Sequence, residues 1–105
     1  MNQSLRVAKN CINSIISHAA FTASVLDKVS DFIQTQKDQD DYVVSLIEDF
    51  ETNTILIARK SITTSIFLEI DSSNINEIRW KSLSNKKNGV SRIEEIFVVI
   101  EEAMF

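Results

Sequence analysis

A single α+β domain is the fold class this sequence predicts. It should have a long N-terminal helical region, an antiparallel β-meander of three to four strands, and a C-terminal helix packed on one sheet face. Three observations carry the expectation: apolar residues recur at helical spacing from Leu5 to Ile33, β-branched runs separated by short polar turns fill the middle, and a second helical stripe closes the chain. The length of 105 residues suits one domain, residues 1–105, and an apolar fraction of 44% with 25% charged residues is enough to build a core.

In the first region Leu5, Ile12, Ala19, Leu26 and Ile33 stand seven apart, with Ala8, Ile15 and Val29 on companion positions. Residues 4–36 therefore form one long helix, or two separated near Ser17 to Ser24, where Ser24 and Asp27 have the spacing of a helix start. Further apolar residues at Val7, Cys11, Ile16, Ala20, Ala23, Val25 and Phe32 make the stripe wider than one packing surface needs, so burial from two directions or dimerisation through this region is expected.

The polar stretch 35–41 ends the helical pattern. The following segment, 41–52, fits a strand by its β-branched content and a helix by Val43, Leu46, Ile47 and Phe50; strand is preferred. Thr54 to Lys60, Thr64 to Ile70 and Asn76 to Leu83 are clearer strands. Ile66, Leu68 and Ile70 share one face opposite Phe67 and Glu69, while Ile78 and Trp80 oppose Arg79 and Lys81, which gives one apolar and one mixed sheet face. Asn85 to Gly89 reads as a loop, and Ser91 with Glu94 as a capping box opening a last helix with the stripe Ile93, Ile96, Phe97, Ile100 and Met104.

Several chemistries are disfavoured. One cysteine, Cys11, permits no internal disulfide and points to a reducing, cytoplasmic setting. The segment after Arg6 is broken by Lys9, Asn10, Asn13 and Ser14, unlike a signal peptide, and no run nears the roughly 20 apolar residues that span a bilayer. Cys11 and His18, seven residues apart on a helix, stand about 10 Å apart by its rise, too far for a dyad. The thiol reads as a small core residue. Asp38, Asp40 and Asp41 resemble the start of a calcium loop, but Val43 and Asp49 replace the glycine and glutamate it requires. One cysteine, one histidine and one glycine exclude structural zinc, phosphate-cradling loops and dinucleotide fingerprints. Neither catalysis nor a cofactor is expected.

The net charge of −4 is laid out in blocks. Residues 1–37 carry four basic and two acidic side chains, and residues 38–53 carry Asp38, Asp40, Asp41, Glu48, Asp49 and Glu51 with no cation. Residues 54–92 have seven basic and three acidic side chains, and Glu94, Glu95, Glu101 and Glu102 close the chain. Six carboxylates between Asp38 and Glu51, with Lys37 and Arg59 the nearest cations in sequence, form an acidic strip suited to a basic protein partner. Arg79, Trp80, Lys81, Lys86 and Lys87 have the makings of a nucleic-acid stacking platform, but the alternation places Trp80 with the core and the chain as a whole is acidic.

In size, acidity and absence of catalytic motifs, features that run over the whole chain, the protein resembles the small immunity proteins that bacteria pair with contact-dependent growth inhibition toxins or colicin-like nucleases. That resemblance implies a non-catalytic inhibitor covering the active surface of a basic toxin. Its members differ in fold, so it transfers no binding residue. A dimeric secretion-type chaperone or adaptor, holding an extended segment on its sheet, and a nucleic-acid-binding accessory protein are the alternatives.

Overall fold

The computed structural model describes residues 3–12, 19–49 and 51–105. Two helices, α1 (Gln3–Asn10) and α2 (Ala19–Gln34), precede five strands: β1 (Tyr42–Glu48), β2 (Thr52–Arg59), β3 (Ser65–Asp71), β4 (Asn74–Ser82) and β5 (Asn88–Ser91). A 3-10 turn at Ile93–Glu95 leads into α3 (Ile96–Met104). The strands pair antiparallel in sequence order, so the sheet is an unbroken meander. All described helices contribute to the core on one face of it.

The fold class stands, with corrections. The amino-terminal region is two helices: α1 stops at Asn10 and α2 starts at Ala19. Ile15, Ile16 and His18 lie outside the described residues. Ser24 starts no helix. It sits inside α2 and donates its hydroxyl to the carbonyl of Ala20 at 3.1 Å, a back-bond one turn up the same helix. On α2 the stripe is used within the chain, because the helix packs against α1 and α3 as well as the core side of the sheet, whereas Val7, Cys11 and Ala20 of the widened stripe are exposed. Val25, Leu26, Val29, Phe32 and Ile33 are buried there, and Phe32 meets Tyr42 and Phe97 edge to face at 6.4 and 5.5 Å. Cys11 is exposed, contrary to its reading as a core thiol, because it falls in the turn that ends α1.

Segment 42–48 is a strand, and the fifth strand falls partly where a loop was expected. The tetrapeptide Asn88–Ser91 has no alternation of its own, and its extended form comes from pairing with β4. The connection turns at Lys86, whose φ of 60° is left-handed, and Asn85 accepts the Lys87 N–H at 3.1 Å to hold it. Asn85 and Ser82 also satisfy the end of α3: Ser82 donates to the Ala103 carbonyl at 2.8 Å and the Asn85 amide reaches the Glu102 carbonyl at 3.2 Å.

The capping box lies one residue beyond its expected place. The Glu95 carboxylate accepts the Arg92 N–H at 3.0 Å, whereas Ser91 belongs to β5 and its buried hydroxyl has no partner among the described residues. The core side of the sheet presents Val44, Ile55, Ile57, Ile66, Leu68, Ile70 and Ile78 in register, as the alternation of β3 predicts. Buried polar groups interrupt it at Asn53, which donates to Thr22 at 2.8 Å, and at Ser82.

Gly89, the only glycine, faces Trp80 across the β4–β5 ladder. The indole lies over it so closely that a Cβ would meet the ring at 2.9 to 3.0 Å. Glycine is required there for close approach. At the other edge of the sheet, α1 is laid against β1, with Leu5 and Ala8 buried. The Val44 N–H, which points away from β2, donates to the Ser4 hydroxyl at 2.9 Å, so helix and side chain cover that edge.

Candidate binding surface

The six carboxylates of the acidic strip do not form one patch. Asp38, Asp40 and Asp41 precede β1, whereas Glu48 ends it and Asp49 and Glu51 lie in the turn to β2. With six residue steps at about 3.3 Å each, β1 holds the two groups about 20 Å apart.

Asp38 and Asp41 have structural work. The β1–β2 register sets Tyr42 opposite Arg59, which brings a cation eighteen positions away in sequence onto the first acidic group. Arg59 pairs with Asp41 at 2.9 Å and with Asp38, and its guanidinium lies 4.9 Å from the Tyr42 ring centre and 5.9 Å from that of Phe105. Its side chain is only 11% exposed, so this is a clamp joining the start of β1, the end of β2 and the end of the chain. Asp41 also accepts the Ser61 hydroxyl at 2.6 Å and the Ser61 N–H at 2.9 Å. The Ser61 hydroxyl does most to hold the Asp41 carboxyl below its ordinary pKa; burial opposes this, and Arg59 adds to the depression. Burial pushes the Tyr42 phenol up, against the nearby Arg59 charge. The expectation that the strip has no local cation therefore fails for Asp38 and Asp41. Asp40, Asp49 and Glu51 remain exposed, and Glu48 is half-buried.

The sequence reading did not single out the sheet face that the helices leave uncovered. In the ladder register Ser45, Leu56, Phe67, Lys81 and Asn88 form one row across the sheet, and Ile47, Thr54, Glu69, Arg79 and Val90 the next. Val43 and Ala58 extend the first row's apolar side. Val43, Leu56, Ala58 and Phe67 are half-buried by their neighbours on the sheet, and none belongs to the core cluster. Ile47 is 56% exposed and Val90 60%. Beyond this apolar half, Arg79 pairs with Glu69 at 2.5 Å and Asp71 at 3.1 Å. A shallow depression of about 370 Å³, lined by Thr54, Phe67, Glu69, Arg79, Trp80 and Lys81, marks the boundary. The signal was present in the sequence: Leu56, Phe67 and Val43 occupy the alternation opposite the core positions.

The basic and aromatic side chains of β4 considered for nucleic acid project from opposite faces of the sheet. Trp80 packs against the core on the helix-covered face, while Arg79 and Lys81 point from the opposite one. Among the described residues no three of the types His, Cys, Asp and Glu gather where they could hold a metal ion, and no helix is long and apolar enough to cross a membrane.

The class these features define is a two-layer α+β domain with one open sheet face. Against known proteins the chain matches no family model, no curated protein and no solved structure.

Proposed function

We propose that this protein is a non-catalytic inhibitor of the immunity type, which neutralises a basic toxin by laying its open sheet face over the toxin's active surface. The observation that carries the reading is the apolar patch of Val43, Ile47, Leu56, Ala58 and Phe67 on that face, flanked at the two ends of β1 by Asp40 and by Asp49 and Glu51. A desolvated apolar centre with a charged rim is the anatomy of a protein–protein interface. Exposed carboxylates along the rim favour a cationic partner and speed its approach. Dimerisation through the N-terminal helices has less behind it, since the stripe of α2 is used within the chain.

The test is capture of the partner from the native host, followed by association and dissociation rates over a salt series. The partner should be basic and lose its toxicity on binding. Reversing Asp40, Asp49 and Glu51 to lysine should slow association about tenfold at low salt and flatten its salt dependence. Phe67→Ser should act mainly on dissociation. An acidic partner, or association indifferent to salt and charge reversal alike, would refute the reading.

A further inference from the structure

The two edges of the sheet are treated differently by the fold. β1 is covered by α1 and Ser4. β5 is not covered. Ser82 donates its N–H to the Lys87 carbonyl at 2.8 Å, which makes 82 and 87 a hydrogen-bonded pair of the antiparallel ladder. By alternation Gly89 and Ser91 then also bond to β4, while the N–H and C=O groups of Asn88 and Val90 point away from it. No described residue meets those four groups.

Of the devices that ordinarily blunt an exposed edge, the strand has only its shortness. The sequence Asn-Gly-Val-Ser carries no charge and no proline, and the β4–β5 register runs without a bulge. The Val90 side chain, 60% exposed, adds an apolar contact beside the free groups.

The charge around this edge selects what fits it. Lys86 and Lys87 precede β5, Arg92 follows it, and Lys81 stands beside Asn88 on the neighbouring strand. No carboxylate pairs with any of the four among the described residues. Acidic groups nearby are Glu94, just past the strand; Glu95, whose carboxylate is held by the Arg92 N–H; and Glu101 and Glu102 on α3, whose end Asn85 contacts through backbone carbonyls. A second copy fits poorly. The two-fold register that uses all four groups sets Asn88 against Val90 and therefore Lys86 of each copy against Arg92 of the other, like charges facing.

The geometry points to β5 as a strand-addition site for an extended acidic segment of a partner protein. The segment would form a sixth strand through four main-chain hydrogen bonds at Asn88 and Val90, its carboxylates meeting Lys81, Lys86, Lys87 and Arg92. This site lies across the sheet from the acidic rim, four strand spacings or about 19 Å away. It therefore stands independently of the inhibitor reading.

The probe is a peptide of about eight residues alternating glutamate with valine, long enough for a strand, beside its lysine counterpart. Trp80, the only tryptophan and the residue packed on Gly89, reports binding by its emission, and amide exchange reports the edge directly. The glutamate peptide should shift Trp80 emission saturably and slow exchange at Asn88 and Val90 by about tenfold or more, and the lysine peptide should do neither. Val90→Pro removes an outward N–H without touching the ladder to β4, and should abolish binding. The pair Lys81→Glu with Lys87→Glu should weaken it about tenfold, and gives the same test on surface positions if the proline variant does not fold. Reversing Asp40, Asp49 and Glu51 should leave peptide binding intact, which separates this site from the proposed toxin surface. Equal response to both peptides, unchanged exchange at Asn88 and Val90, or self-association through β5 would overturn the proposal.

Discussion

Replacing Gly89 with alanine tests the packing that holds β5 in the sheet. The new Cβ would stand 2.9 Å from the Trp80 Nε1 atom and 3.0 Å from Cε2 and Cζ2. Comfortable contact begins near 3.5 Å, so the indole must retreat by about 0.5 to 1 Å. Such overpacking costs about 1 to 3 kcal/mol. Alanine recovers about 0.4 to 1 kcal/mol by restricting the unfolded chain, because Gly89 has no positive φ that only glycine tolerates. The net loss should be about 1 to 2 kcal/mol, or a melting temperature about 5 to 10 °C lower in a domain of this size. Urea denaturation followed by circular dichroism gives the stability, and emission from the single tryptophan shows whether the ring has moved. The decisive comparison is the same substitution in a Trp80→Leu background, where the smaller side chain leaves room and alanine should be neutral or slightly stabilising. Equal penalties in both backgrounds, or no penalty beside Trp80, would refute the close-approach account.

Other substitutions separate the sequence-derived and structural readings. Ser91→Ala should be neutral or stabilising in denaturation, since it deletes a buried hydroxyl without a partner, whereas Ile96→Ala, at a fully buried position, should cost about 2 to 5 kcal/mol. Asn53→Asp should cost about 3 kcal/mol or more at neutral pH, measured by the urea midpoint, and the cost should shrink in acid as the buried carboxyl takes up a proton. Asp41 has a folded pKa below its unfolded value, so its contribution is complete above about pH 3.9 and is lost as pH falls through the lower folded value. An Asp41→Asn variant should therefore show a flatter acid limb of stability below pH 4 or so, read from thermal melts across acid buffers.

The elements legible in the sequence were those whose burial alternates within one segment. Ile66, Leu68 and Ile70 announced both β3 and the side on which the core lies, and Ile96, Ile100 and Met104 announced α3. Illegible elements owe their form to a neighbour. β5 is extended because β4 offers it a ladder and Trp80 a surface, neither of which shows in four residues read alone. The amino-terminal stripe continues in sequence across a break in structure because spacing of seven suits two successive helices facing one core as well as it suits one. The acidic strip failed as a contiguous patch for a related reason: charge was counted along the chain, and pairing is decided by hairpin register. Once β1 and β2 are aligned, Arg59 falls beside Asp41 and the count changes.

Because α1 lies along β1, the molecule avoids a mode of growth that its meander otherwise invites. A sheet whose strands follow sequence order carries the charge blocks of the chain from one edge to the other, acidic beside β1 and cationic beside β5. Two unlike, attractive edges on one molecule define a heterologous contact, which repeats head to tail and gives a filament wherever its rotation does not close a ring. Ser4 and the buried Leu5 and Ala8 withdraw one of the two contact partners, and a chain of molecules cannot lengthen past its first member. The short helix thus removes β1 as a partner for the bare β5 edge of another copy, and like charge is what opposes a pairing of β5 with β5.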